Sequence, residues 1–234
     1  MNKKVLIIGA SSGIGKELAL QYEKLGCEVI ITARNIEKLK EIAENKRISY
    51  EYLDVNNYEE AISKIKKLVE NTDITIISAG IGDFNKELNF DIELNTIKTN
   101  VGGFVACVTE VFNYYKSIKK GHIAAISSLA SLRGSDEAPA YNASKAFITN
   151  YMDGLRKKTI KEKLNINITT ILPGLVDTQM AKGEGLFWVE PVSLIAKQII
   201  RGIWKQKSEL IVSNRWKLIA LLLKFIPNWL YYKL

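Results

Sequence analysis

The chain has 234 residues, 47% of them hydrophobic and 25% charged, with a formal net charge of +8. That length fits one domain with a large core. The lysines are scattered, as at Lys64, Lys66 and Lys67 beside Glu59 and Glu60. Such a pattern describes a solvated surface with mild attraction for anionic cofactors or lipids, and it excludes a nucleic-acid-binding stripe.

The chain opens with Met1-Asn-Lys-Lys and only four strongly apolar residues before a glycine, too few for a signal peptide. Val5 to Ile8 reads as a buried strand. It runs into Gly9, Gly13 and Gly15, and a helical pattern follows with Leu18, Ala19, Tyr22 and Leu25 apolar and Gly26 closing it. Strand, glycine turn and helix form the setting of a dinucleotide fingerprint. The glycines let backbone approach a pyrophosphate, and the helix start offers free N–H groups and partial positive charge.

Further strands are predicted over 28–32, 48–52, 74–77, 122–127, 167–172 and 210–212, with helical stretches between them, the longest over 97–118 and 139–163. This alternation predicts an α/β fold, a doubly wound parallel sheet with helices on both faces in a single domain. Cys27 and Cys107 do not form a metal-ligand spacing and read as reduced packing residues of a cytoplasmic protein, with no metal expected. His122, the only histidine, stands at a strand start, where a surface or structural role is expected.

Tyr141 and Lys145 lie four residues apart, one turn along one helix face. A neighbouring cation favours phenolate over phenol, so the spacing predicts a tyrosine with a lowered pKa, suited to proton transfer. Ser128, thirteen residues before Tyr141, is placed to hold the oxygen that exchanges the proton.

Together these motifs resemble the short-chain dehydrogenase/reductase family, over roughly Lys3 to Leu210. The glycine loop Gly9, Ser11, Ser12, Gly13, Ile14 and Gly15 matches the family's cofactor loop. Asp54 and Val55 match the segment that meets the adenine, and Ala79 and Gly80 close the fourth strand. Asn100 matches the helix asparagine, and Ser128, Tyr141 and Lys145 match the catalytic segment. Pro173, Gly174, Val176 and Thr178 match the segment beside the nicotinamide. The resemblance implies a Rossmann-like fold and hydride transfer between a nicotinamide and a carbonyl or alcohol. It makes Tyr141 the acid or base, Lys145 the ribose-holding cation, Ser128 the substrate-oxygen donor and Asn100 the anchor of a water. Two departures stand out: Ile8 where the family often has Thr, and Ser78 where it has Asn, the latter expected to cost stability.

Cofactor choice is read at the end of the second strand. An acid there would bind the ribose 2′-hydroxyl of NAD. Ala33 stands there instead, followed by Arg34, which grips a 2′-phosphate. NADP(H) is favoured, with NAD(H) left open. Leu129, Leu132, Phe187 and Trp188 point to an apolar substrate, or else simply pack the lid.

Residues 1–213 are read as the dinucleotide-binding and catalytic unit, and 214–234 as an apolar, basic tail. Its longest uncharged run, 218–223, is too short to span a bilayer, and Pro227 divides it into 215–226 and 228–234. Two uses stay open: packing on the fold or a second subunit of a homo-oligomer, and peripheral contact with a membrane. A non-catalytic nucleotide-binding or membrane-surface protein is the alternative to an oxidoreductase. Retention of Asn100, Ser128, Tyr141 and Lys145 favours the enzyme.

Overall fold

A computed structural model describes residues 3–178 and 188–233. Seven strands form one wholly parallel sheet: β1 Lys4–Ile8, β2 Glu28–Ala33, β3 Ile48–Tyr52, β4 Ile74–Ile77, β5 Lys120–Ile126, β6 Asn165–Pro173 and β7 Glu209–Val212. Their order is β3-β2-β1-β4-β5-β6-β7. The helices are α1 Gly13–Lys24, α2 Ile36–Ala43, α3 Tyr58–Leu68, α4 Phe90–Ile97, α5 Phe104–Ser117, α6 Pro139–Lys161, α7 Val192–Trp204, α8 Asn214–Phe225 and α9 Asn228–Tyr231.

Strand periodicity sends alternate side chains to opposite faces. Val5 and Ile7 of β1 pack with α1, α2 and α7, while Leu6 and Ile8 pack with α3, α5 and α6. Both faces are covered, as the predicted doubly wound arrangement requires, and β1 to β4 fall within a residue or two of expectation. The strand order reverses between β1 and β4, so a crevice opens at the carboxyl ends of those strands.

One detail departs from the sequence reading. The helical stretch over 97–118 is interrupted: a π-helical turn, Lys98–Gly103, separates α4 from α5. The Tyr58 hydroxyl donates to the Lys98 carbonyl at 3.1 Å where that turn begins, and π turns often mark functional sites. His122 takes the structural one of its two expected roles: it is buried, its Nε2 bonds Thr169 Oγ1 at 2.8 Å, and burial pushes its pKa down to about 4. Ser78 joins β1 through its backbone N–H, which donates to the Ile8 carbonyl at 2.8 Å.

Past β7, Ser213 has φ 73° and ψ 132°, backbone that a non-glycine residue adopts at a cost of about 1–3 kcal/mol. Its N–H donates to Gln198 Oε1 and its hydroxyl to Glu190 Oε1. These bonds hold the bend that turns α8 back across the carboxyl edge of the sheet.

Candidate active site

A cavity of about 810 Å³ runs along that edge, within the range of small-molecule and cofactor sites. One end lies over β1 and β2. There the Gly9 and Ala10 N–H groups both donate to the Thr32 carbonyl. Gly9 has φ +88°, and a Cβ on it would sit 2.4 Å from the Ala79 nitrogen, so only glycine lets β1 turn here against β4. Ser11, Ser12, Gly13 and Ile14 continue along the wall. Ser12 is the extended residue before α1, makes no capping bond with its side chain, and no acidic residue occupies the helix's first turn. Free N–H groups and an unopposed helix dipole face the cavity, which suits a phosphate.

Arg34 lines the same end after Ala33, exposed and without an ion-pair partner among the described residues. Asp54 and Val55 lie beside it, with Asp54 Oδ1 accepting from the Asn56 N–H at 3.0 Å. Ala79 and Gly80 form the floor, and Pro173, Gly174, Val176 and Thr178 the far wall. These residues fit an anionic dinucleotide. Gly15 and Asn100, also expected at the cofactor, stand behind the wall instead of in it. A Cβ on Gly15 would be 2.2 Å from the Gly9 carbonyl oxygen, so that residue serves helix–strand packing.

Ser128, Tyr141 and Lys145 all line the cavity. Ser128 follows β5 and precedes a short 3₁₀ turn, Leu129–Leu132, its Oγ accepting from the Ala130 N–H at 3.1 Å. Tyr141 and Lys145 lie one turn apart near the start of α6, with Lys145 Nζ 5.6 Å from the centre of the Tyr141 ring. Burial raises the Tyr141 phenol above its usual pKa, and the Ser128 hydroxyl beside it pulls only partly back. Lys145 is buried, donates to the Ile126 carbonyl at 3.1 Å, and is pushed down to about 8. The lowering of Tyr141 expected from its cation is not found: desolvation dominates, and the Ser128 hydroxyl is the group that opposes it. The phenol stays protonated at neutral pH, while burial brings the Lys145 ammonium closer to losing its proton there.

Asn100 lies within the π turn and is fully buried. Its Oδ1 accepts from the Ile81 N–H, and its Nδ2 donates to the Ile81 carbonyl and to Ser144 Oγ, at 2.8, 2.8 and 3.0 Å. The Ser144 hydroxyl donates in turn to the Tyr141 carbonyl at 2.7 Å. Asn100 thus ties the segment after β4 to the helix that carries Tyr141 and Lys145. Both side-chain N–H groups are spent on protein partners, so a water held by Asn100 would have to bond its Oδ1 or its backbone.

Several residues in the site carried no sequence signal. Glu93 of α4 accepts from the Ala140 N–H at 3.0 Å, placing a carboxylate at the positive end of α6 one residue before Tyr141. The Ser127 hydroxyl donates to the Lys145 carbonyl at 2.9 Å and pins α6 to the end of β5.

The other end of the cavity is apolar, with Phe84, Leu129, Trp216, Leu223 and Tyr231 in its walls. Trp216 packs with Leu129 and Leu172, and a Cβ on Gly174 would fall 2.2 Å from its ring, so Gly174 makes room for it. Arg133, at the end of the 3₁₀ turn, clasps the tail. Its Nε donates to the Leu223 carbonyl at 2.9 Å, Nη1 to Asn228 Oδ1 at 2.8 Å and Nη2 to the Ile226 carbonyl, and its guanidinium stands 5.1 Å from the Tyr231 ring centre. The Tyr231 hydroxyl donates to the Gly134 carbonyl. Of the residues expected to define an apolar pocket, Leu129 lines the cavity. Leu132 and Trp188 pack around Trp216 outside its walls, and Phe187 lies outside the described residues.

A family model described as short chain dehydrogenase matches residues 3–186. An uncharacterized oxidoreductase of Myxococcus xanthus is 29% identical over 97% of this chain and 93% of its own length. An NADP-dependent 3-hydroxy acid dehydrogenase of Schizosaccharomyces pombe is 32% identical over 76% of this chain and 73% of its own. The solved structure of ElxO with NADP bound superposes with a TM-score of 0.80 at 25% identity, covering 91% of this chain and 97% of that one. The chain belongs to the short-chain dehydrogenase family, whose members are oxidoreductases of carbonyl and alcohol groups.

Proposed function

We propose that this protein is an NADP(H)-dependent oxidoreductase that interconverts an apolar carbonyl compound and its alcohol. The observation that carries the reading is that Ser128, Tyr141 and Lys145 line one cavity together with an anion-binding glycine turn and an apolar wall. NADP(H), when bound, supplies or accepts the hydride. The protein orients the substrate and manages one proton. In reduction the Tyr141 phenol gives its proton to the substrate oxygen, which the Ser128 hydroxyl holds; in oxidation the proton returns. The Lys145 cation over the ring stabilises the phenolate left behind and is placed to hold the nicotinamide ribose. Asn100, Ser144 and Glu93 keep these groups in position.

The phosphate-bearing cofactor is supported by Arg34, by Ala33 where an acid would repel a 2′-phosphate, and by NADP in the names of similar proteins. An apolar substrate is supported by Leu129, Trp216, Leu223 and Tyr231. Arg133 is the cation at that end, but its guanidinium is occupied by the tail, so it is not presented to a substrate carboxylate. In this reading residues 1–213 bind the dinucleotide and do the chemistry, and 214–234 cover the substrate end. Exposed Phe90, Phe147 and Ile160 support assembly as a homo-oligomer. A non-catalytic role is not favoured, because Ser128, Tyr141 and Lys145 keep the arrangement that chemistry needs.

The test is NADPH oxidation against a panel of hydrophobic ketones and aldehydes, polar sugars and 3-oxo acids. Turnover of hydrophobic carbonyls that needs Tyr141 is expected. A preference for charged 3-oxo acids would overturn the substrate reading.

A further inference from the structure

Helix α8 is apolar on two sides. Its inner side packs on the fold, with Trp216 and Ala220 buried against Leu129 and Leu172. Its outer side carries Leu218, Leu221, Leu222 and Phe225, which are 67, 55, 59 and 75% exposed, and α9 continues the surface with Trp229. A helix that is apolar all round is ordinarily buried all round. Half of this one is in water, in a contiguous patch of the kind that marks an interaction surface.

The charge around the patch identifies what it fits. Residues 210–234 contain no Asp or Glu, but they contain Arg215, Lys217, Lys224 and Lys233. All four are exposed. Arg215 stands 6.0 Å from the Trp188 ring centre and Lys233 5.9 Å from that of Trp229, so the cations lie at the borders of aromatic surface. At the inner edge of the patch, Glu209 stands 3.8 Å from Lys224. A second copy meeting this face across a two-fold axis would set the same cationic border against itself. An anionic bilayer matches both parts: acyl chains for the leucines and phenylalanine, headgroups for the cations, with Trp and Tyr at the boundary. No helix among the described residues is long and apolar enough to cross a membrane.

We propose that the outer face of α8 and α9 docks on an anionic lipid surface and brings the apolar end of the cavity against it. Neighbouring residues divide between the two surfaces: Leu223 and Tyr231 line the cavity, while Leu222 and Tyr232 face outward. The substrate is then a lipophilic carbonyl or alcohol drawn from the bilayer. That last clause rests on the oxidoreductase reading; the docking itself does not.

The experiment is sedimentation of the full chain with vesicles of phosphatidylcholine alone or with added phosphatidylserine. Binding to the anionic vesicles is expected, weakened by salt. Leu222→Glu with Phe225→Glu should lower partitioning by about tenfold or more for each side chain. NADPH binding and circular dichroism report that this variant is folded. Lys224→Gln with Lys233→Gln leaves the apolar face whole and should weaken anionic binding by about fivefold per lysine. A wild type that ignores both vesicles overturns the proposal, as does a folded double-glutamate variant that sediments like wild type. Loss of a dimer in that variant, by analytical ultracentrifugation and without vesicle binding by wild type, assigns the face to a second copy. Vesicle binding by a chain inactive on every lipophilic carbonyl supports docking while overturning the substrate clause.

Discussion

The two ends of the cavity are built by different means. The nucleotide end is made of strand ends and backbone: Gly9 against Ala79, the open first turn of α1, and the Ala33–Arg34 exit from β2. Its parts come mainly from βα turns close in sequence. The substrate end is made of side chains that meet only in the folded chain. Arg133 reaches Leu223, 90 residues away, and Tyr231 reaches back 97 residues to Gly134. A surface made of backbone tolerates few changes and suits a shared ligand. A surface made of distant side chains can vary without disturbing the sheet, which suits the choice of substrate.

The largest effect should come where the two ends meet. Tyr141→Phe keeps the ring and removes the transferable proton. Turnover should fall by about two orders of magnitude or more on every substrate, with NADPH binding, followed by fluorescence, retained. A variant with near-normal turnover would falsify the assignment of the proton to Tyr141.

Arg34→Ala acts on the nucleotide end alone. NADPH affinity should weaken by about 1.5–3 kcal/mol, the range of a charge-assisted hydrogen bond, while NADH affinity and substrate KM hold. Titration with both cofactors reads this. Equal weakening of the two, or a wild type that prefers NADH, would remove Arg34 from the 2′-phosphate.

Arg133→Ala acts on the substrate end alone. With the clasp gone, KM for an apolar carbonyl should rise by about tenfold, and limited proteolysis should release the tail sooner. NADPH affinity and kcat should change little. A matching loss of NADPH binding would show that the two ends are not independent.

The smallest effect tests a site at neither end. His122 is buried and neutral, with its pKa pushed from 6.5 down to about 4. As pH falls below 6.5 the unfolded chain gains a proton that the folded chain resists. Its contribution is therefore full above pH 6.5 and lost progressively toward pH 4. Between pH 7 and pH 6 the loss should be under about 1 kcal/mol. His122→Gln should flatten that slope in urea melts. An unchanged slope would mean that His122 is not the titrating group.

Much of the fold was legible because its signals are local. Val5 to Ile8 is apolar without a break, the glycines follow at once, and Leu18, Ala19 and Tyr22 repeat at helical spacing. The same holds for Tyr141 and Lys145, whose one-turn spacing brings them together on any helix. The π turn was not legible, since the residues around Asn100 fit a continuous helix and only packing decides the extra residue. The proton affinity of Tyr141 was misjudged from spacing alone. The one-turn spacing from a lysine is visible in sequence; the burial that raises the phenol is not.

The sequence by itself determined the alternation of strand and helix, the glycine turn, the missing acid at Ala33 and the Tyr141–Lys145 face. Each depends on a few consecutive residues and on backbone geometry that any such run adopts. Tertiary structure alone decided that Asn100 clamps Ile81 to Ser144, that Glu93 caps α6, and that Arg133 folds the tail over an apolar cavity. These contacts join residues 19 to 90 positions apart. No local pattern encodes such a meeting, because it exists only once the sheet has set the distance between its helices.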